Sequence, residues 1–238
     1  MANLCVNIDH IATLRQARGE KFPDLIYAAK IIEKTDAVGI TVHLREDRRH
    51  IQDYDVINLR KVLNKKLNLE MSLNKDIVDF AQKVIPDEAT LVPEKRKELT
   101  TEGGLDVIKN KLKLDKVIQD LKKKGIVVSL FIDPDLNQIK AAKDVNTDFI
   151  EIHTGSYANA KNKAIENKEF NKIKMAVQYA KQIGLRVNAG HGLNYKNTKK
   201  IAKIKDIEDL NIGFSIIAYS IFVGLERAVK EMLKIIRE

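Results

Sequence analysis

The sequence predicts an α/β fold, a single-domain (β/α)8 TIM barrel over residues 1–238 with room for extra helices, and three observations carry that expectation. Short apolar runs alternate with helix-period segments from end to end. Eight such units fit a chain of 238 residues, close to the roughly 250 typical of this barrel. No linker rich in Pro, Gly or Ser and no low-complexity tract divides the chain, so one domain accounts for it. An open doubly wound sheet is the alternative fold, because both architectures are assembled from the same βαβ units.

The first strand is the apolar run Leu4–Ile8, followed by helix Asp24–Lys34 and a second strand, Ala37–Leu44. Helix Asp53–Lys65 leads to strand Leu67–Met71, and helix Lys75–Val84 leads to strand Ala89–Val92. Helix Leu105–Lys124 carries Leu112, Leu114, Val117, Ile118 and Leu121 as its apolar face, with lysines on the solvated side. Strand Val127–Ile132, helix Leu136–Asp144 and strand Phe149–His153 come next. Helix Glu166–Ile183, strand Arg186–Ala189, helix Asn197–Ile204, strand Leu210–Gly213 and helix Ile217–Arg237 complete the series. Two connections are longer and more polar, Pro93–Gly104 and Thr154–Asn167, and are expected to be binding loops or lids. Aromatic residues make up 5% of the chain and Trp is absent, so the core is expected to consist of Ile, Leu, Val and Ala.

A net charge of +9 would suit nucleic acid, but the lysines are interleaved with acids, as in Lys109–Lys124, and aromatics are scarce. The excess charge instead favours small anionic substrates. No apolar stretch approaches the ~18 residues of a membrane span, and no basic leader precedes Leu4–Ile8. The single cysteine, Cys5, has no partner within the chain, and a cytoplasmic location is expected.

The polar chemistry gathers at one kind of place. His10, His43, His50, His153 and His191 all fall at or just after the carboxyl end of an expected strand, and none in an expected helix. In this barrel those ends share the face that bears the active site. Asp9, Glu70, Glu102, Asp133 and Glu151 join them. Glu70 interrupts the apolar strand LNLEM, where an ionised carboxylate is costly without a partner. It suits either a general acid or base with a raised pKa, or an ion pair with Arg45 or another barrel cation. Thr41–His50 (TVHLREDRRH) offers arginine forks for phosphate and imidazoles for proton transfer. Asn188–Gly192 (NAGHG) and Asn211–Ser215 (NIGFS) occupy the positions of the recurrent phosphate site of such barrels, and Thr100–Gly104 (TTEGG) is a third glycine group. There is no HExxH, CxxC, GxGxxG or Walker A pattern, so neither a local zinc motif nor nucleotide binding has support. No lysine sits at an expected strand end to form a Schiff base. A metal-dependent barrel lyase or hydrolase using Asp9, His10, His43, Glu151 and His191 is the rival enzyme class.

The segments Asn7–Gly19 (NIDHIATLRQARG), Gly39–His50 (GITVHLREDRRH), Asn68–Met71 (NLEM), Leu91–Asp106 (LVPEKRKELTTEGGLD), Phe149–Gly155 (FIEIHTG), Val187–Leu193 (VNAGHGL) and Leu210–Gly213 (LNIG) resemble the pyridoxine 5'-phosphate synthase family, in order and across the whole chain. The resemblance implies condensation of 3-amino-2-oxopropyl phosphate with 1-deoxy-D-xylulose 5-phosphate, without metal or organic cofactor, in an octamer built from dimers. It implies that His43 and Glu70 accept protons and His191 donates one. It further implies that Asn7, Asp9, His10, Arg45, His50 and Thr100 contact the deoxyxylulose phosphate, and Arg18, Gly192 and Gly213 the aminoketone phosphate. Phe214 departs from the family, in which many members carry histidine after that glycine. Contact through its backbone N–H would preserve phosphate binding, whereas contact through a side chain would have been lost.

Overall fold

The computed structural model describes residues 1–94 and 103–238. Its architecture follows from an alternation inside each strand. Thr41 bonds Asn211 across 2.9 Å and Asn188 bonds Glu88 across 3.1 Å, each time between strands that are not neighbours. Such bonds can only pass through the inside of a closed sheet. With a side-chain period of two, the residues between these polar ones point outward, and they are aliphatic: Ile40 and Val42, Leu67 and Leu69, Val187 and Ala189, all buried. Aliphatic residues therefore form the shell between sheet and helices as expected, while the barrel interior is polar.

Among the described residues eight parallel strands close in chain order: β1 (Asn3–Asn7), β2 (Gly39–Leu44), β3 (Lys66–Met71), β4 (Glu88–Leu91), β5 (Val127–Ile132), β6 (Phe149–His153), β7 (Arg186–Gly190) and β8 (Ile207–Ile212), with β8 pairing back on β1. The open sheet is thereby excluded. The register sets His43 beside Glu70 and Glu151 beside Asn188. At the amino-terminal end of the barrel, Lys66 bridges Glu88 and Asp209, neutralising two acids far from the opposite mouth.

The helices form where side chains satisfy their first free amides. Asp24 caps α2 (Leu25–Glu33), Asn74 caps α4 (Lys75–Val84), Asp106 caps α5 (Val107–Lys122) and Asp135 caps α6 (Leu136–Asp144). At the start of α3 (Asp53–Val62) the Asp55 carboxylate accepts the Gln52 backbone N–H at 2.8 Å.

Three expectations of secondary structure require correction. A helix α1 (Asp9–Arg18) follows β1 directly, so His10 stands in a first helical turn rather than a loop. The expected loop Thr154–Asn167 is largely helical, because α7 (Gly155–Ala158) precedes α8 (Lys163–Gln182), whose start Asn162 caps. The expected helix Ile217–Arg237 is two, α10 (Phe214–Val223) and α11 (Leu225–Arg237), separated by Gly224 with φ +84°. The short α9 (Thr198–Ala202) lies within its expected span. Expectations placed on Thr100 and Glu102 lie outside the described residues.

On α5, Leu114, Val117, Ile118 and Leu121 are buried at helical spacing, whereas Leu112 is 88% exposed. Two residues of helix turn by about 200°, so Leu112 cannot share the face of Leu114. Leu114→Ala is expected to cost about 2–5 kcal/mol of stability, and Leu112→Ala no more than about 0.5 kcal/mol. Denaturant unfolding of the two variants checks this, and equal losses would contradict the assigned face.

Candidate active site

At the carboxyl end of the barrel, Asp9 ties the first two strands together. One of its oxygens accepts the backbone N–H of His43 at 2.8 Å and the other accepts the Asn7 side-chain amide at 3.0 Å. Asn7 in turn accepts the Asp9 backbone N–H at 2.9 Å. This local closure explains why the chain enters α1 immediately after β1, and it places Asn7, Asp9 and His10 on the rim.

Beside this knot, His43 Nδ1 lies 3.9 Å from Glu70 Oε2, and its Nε2 lies 3.9 Å from Glu94 Oε2. Glu70 is 17% exposed, enough to face a ligand. The expected alternative of a Glu70–Arg45 ion pair is not what forms, since Arg45 Nε faces Glu94 at 3.5 Å. Arg45 is buried, and its Nε has no hydrogen-bond partner among the described residues. Of the other arginines in the TVHLREDRRH segment, Arg48 pairs with Asp53 and Arg49 with Asp47 at the surface. The His50 ring stands 6.3 Å from that of His43, and its Nδ1 accepts the Ile51 N–H at 2.8 Å.

Electrostatics at this rim run opposite to those of exposed groups. Burial pushes Asp9 up to about 7, against the hydrogen bonds from His43 and Asn7 that pull it down. Burial, then the charges of Glu151 and Asp9, raises Glu70 well above the ordinary carboxyl range. Glu151, buried and bonded to Asn211, is raised to about 8, chiefly by burial. Burial also holds the imidazoles neutral: His43 falls to about 3 and His50 to about 4, each pushed further by Arg45. His10 is lowered for the same reason. The rim therefore offers neutral imidazoles and carboxyl groups poised to gain or lose protons near neutral pH.

A second group forms across the mouth. His191, with φ +80°, follows β7 and precedes Gly192, with φ +77°. A Cβ on Gly192 would lie 2.7 Å from that of Ala158, so only glycine permits this approach. Thr154 anchors the turn through the Gly190 carbonyl oxygen, which accepts its hydroxyl at 2.8 Å and its backbone N–H at 2.9 Å. Burial, then His153, lowers His191 to about 4. Gly213 caps the start of α10, and no side chain there bonds the first free amides of the helix. The exposed Phe214 ring meets His10 edge-on at 5.2 Å. Its backbone N–H belongs to the first turn of α10, where it has no partner within the helix.

The structure thus brings together Asn7, Asp9, His43 and Glu70, sets Arg45 and His50 beside them, and places His10 with Phe214 and Gly213 with Asn7 on the adjoining rim. Arg18 ends α1, exposed, about 13 Å along the helix from Asp9. Two supporting residues escaped the sequence reading. Arg15 makes a buried two-pronged bond to Asp55, both contacts 2.7 Å, and donates to the His50 carbonyl oxygen at 3.3 Å. Its signal was a cation at the core-facing spacing of Ile11 and Ala12. Glu94, which accepts the Glu46 N–H at 2.8 Å, lay within an expected loop and gave no periodic signal.

Asp9, His43 and Glu70 offer ligand atoms within 4.8 Å of one another, a spacing open to a cation. As a donor set they suit a dication poorly. Both Asp9 oxygens already accept amide protons, and burial disfavours the ionised carboxylates a metal requires.

Solved barrels share this fold at low identity. KGPDC from Streptococcus mutans matches with a TM-score of 0.66 and 15% identity, covering 99% of both chains. The tryptophan synthase A-subunit from Pyrococcus furiosus matches with a TM-score of 0.65 and 11% identity, covering 98% of this chain and 97% of that one. Among curated proteins, the pyridoxine 5'-phosphate synthase of a Geobacter species is 56% identical over 237 residues, spanning 100% of this chain and 99% of its own length. That of Geotalea daltonii is 54% identical over 240 residues with the same coverage. The family model described as pyridoxal phosphate biosynthesis protein PdxJ matches residues 4–238, and the chain belongs to that family.

Proposed function

We propose that the barrel mouth runs the pyridoxine 5'-phosphate synthase reaction with His43 and Glu70 as proton acceptors and His191 as proton donor. The reaction condenses 3-amino-2-oxopropyl phosphate with 1-deoxy-D-xylulose 5-phosphate, closes the pyridine ring, and releases pyridoxine 5'-phosphate, inorganic phosphate and water. The observation that carries the role assignment is the meeting of neutral His43 with Glu70 at 3.9 Å, on a rim where no Arg or Lys among the described residues pairs with Glu70.

The substrate amine attacks the sugar-phosphate ketone, and His191 protonates the departing hydroxyl to leave an imine. A phosphate dianion beside Gly192 favours the charged form of His191 and so offsets the burial that keeps it neutral in the empty site. Glu70 and His43 then remove and return the protons needed for enamine formation, loss of phosphate, ring closure and dehydration. Arg45, His50, Asn7, Asp9, His10 and Thr100 contact the deoxyxylulose phosphate. Arg18, Gly192, Gly213 and the Phe214 backbone contact the aminoketone phosphate. The enzyme needs no metal or organic cofactor for this chemistry and works in the cytoplasm.

Positioned general acids and bases each contribute about 10²–10⁴-fold. Glu70→Gln is therefore expected to lose turnover by that factor while its circular dichroism is unchanged. Fluorescence of pyridoxine 5'-phosphate and phosphate release, followed with both substrates and a chelator, provide the measurement. Near-normal turnover in folded Glu70→Gln would sink the role assignment. Loss of wild-type activity on chelation would favour a metal at Asp9, His43 and Glu70.

The same reading includes assembly into an octamer built from four dimers. Phe214, Ile221 and Phe222 leave a large exposed apolar face on α10, a face that suits burial against another copy. Sedimentation should give eight chains per particle, and a stable monomer would contradict it. No helix among the described residues is long and apolar enough to cross a membrane.

A further inference from the structure

His153 is the one histidine to which no substrate role falls, yet it is 5% exposed at the carboxyl end of β6. Its Nδ1 lies 2.8 Å from Asp133 Oδ1, beyond the end of β5. Its Nε2 is buried and has no hydrogen-bond partner among the described residues. The ring stands edge-on to His191 with centroids 4.9 Å apart, and Phe131 packs against both rings at 5.1 and 6.3 Å. Gly155 keeps this approach open, because a Cβ there would collide with His153 Nε2 and lie 3.1 Å from His191 Cδ2.

We propose that Asp133 and His153 form a positioning pair that fixes the orientation of the His191 imidazole and the ring dipole packed against it, an inference resting on His191 as the proton donor. An ionised Asp133 is an acceptor only, so it holds the His153 proton on Nδ1 and turns Nε2 toward the protein interior. The Asp133 carboxyl is held below its ordinary range, first by the His153 bond and also by the Gly104 backbone N–H. His191 occupies a backbone conformation that L-residues rarely adopt, so its ring needs lateral support to keep one rotamer. An aliphatic side chain at position 153 would give such support without stranding a buried nitrogen. An imidazole paired with a carboxylate at this place points to an electrical role as well as a steric one.

Asp133→Asn preserves the shape but donates to Nδ1, and so reverses the His153 tautomer. The expected result is a fall in kcat of about 10–100-fold, unchanged KM for both substrates, and restoration of most of kcat in Asp133→Glu. Adding Asp133→Asn to His191→Asn should cause no further loss, and ¹⁵N imidazole spectra should show the tautomer change in the folded variant. Wild-type kcat in Asp133→Asn beside an inactive His191→Asn would overturn the inference alone. So would equal fractional losses from Asp133→Asn in both backgrounds. Wild-type kcat in His191→Asn would overturn the donor role and the inference with it.

Discussion

The site depends on carboxyl groups buried close together inside a barrel mouth. Asp9 and Glu70 place oxygens within 4.8 Å of each other. Two full charges at such a separation repel by about 3 kcal/mol at an effective dielectric near 20. That is about two pKa units before desolvation is counted. The fold accepts this tension because Asp9 is also a structural pin, receiving the His43 amide and the Asn7 side chain. The same bonds that close β1 against β2 therefore set the electrostatics of the rim.

The contrast between the barrel's two ends sharpens the point. At the amino-terminal end, Glu88 and Asp209 share Lys66, so their charges are compensated. At the carboxyl end, Arg45 is turned toward Glu94 and Arg15 toward Asp55, and no Arg or Lys among the described residues pairs with Glu70. Around both ends, the shell of Ile, Leu and Val supplies the burial that holds the polar interior in place. Histidines and carboxyls placed in such a mouth can each take up and return protons. That combination suits a ring closure made of successive proton transfers.

Much of this was legible in the chain. Strand runs such as Val127–Ile132 and Phe149–His153 match the folded elements to the residue, because β-branched and aliphatic runs of that length suit little else in an alternating α/β pattern. The clustering of histidines and acids at strand ends located the mouth, and the Glu70 interruption of LNLEM marked a carboxyl raised well above its ordinary range. The polar barrel interior was harder to see, since Thr41, Asn68 and Ser129 were read within apolar runs although they alternate with aliphatic residues. Helix α1 was missed because its mean character is polar and its first turn carries functional residues. The Arg15–Asp55 bond joins residues 40 apart in sequence, a distance over which no local pattern speaks.

Infrared titration of the folded enzyme tests the central claim most directly, because protonated carboxyls absorb apart from ionised ones. The rim should hold protonated carboxyl groups at about pH 6, well above the ordinary carboxyl range. Glu70→Gln and Glu151→Gln should each remove part of that signal, and loss of either charge should ease ionisation of its neighbours. Complete ionisation of every carboxyl by about pH 5, with spectra unchanged in both variants, would contradict the account.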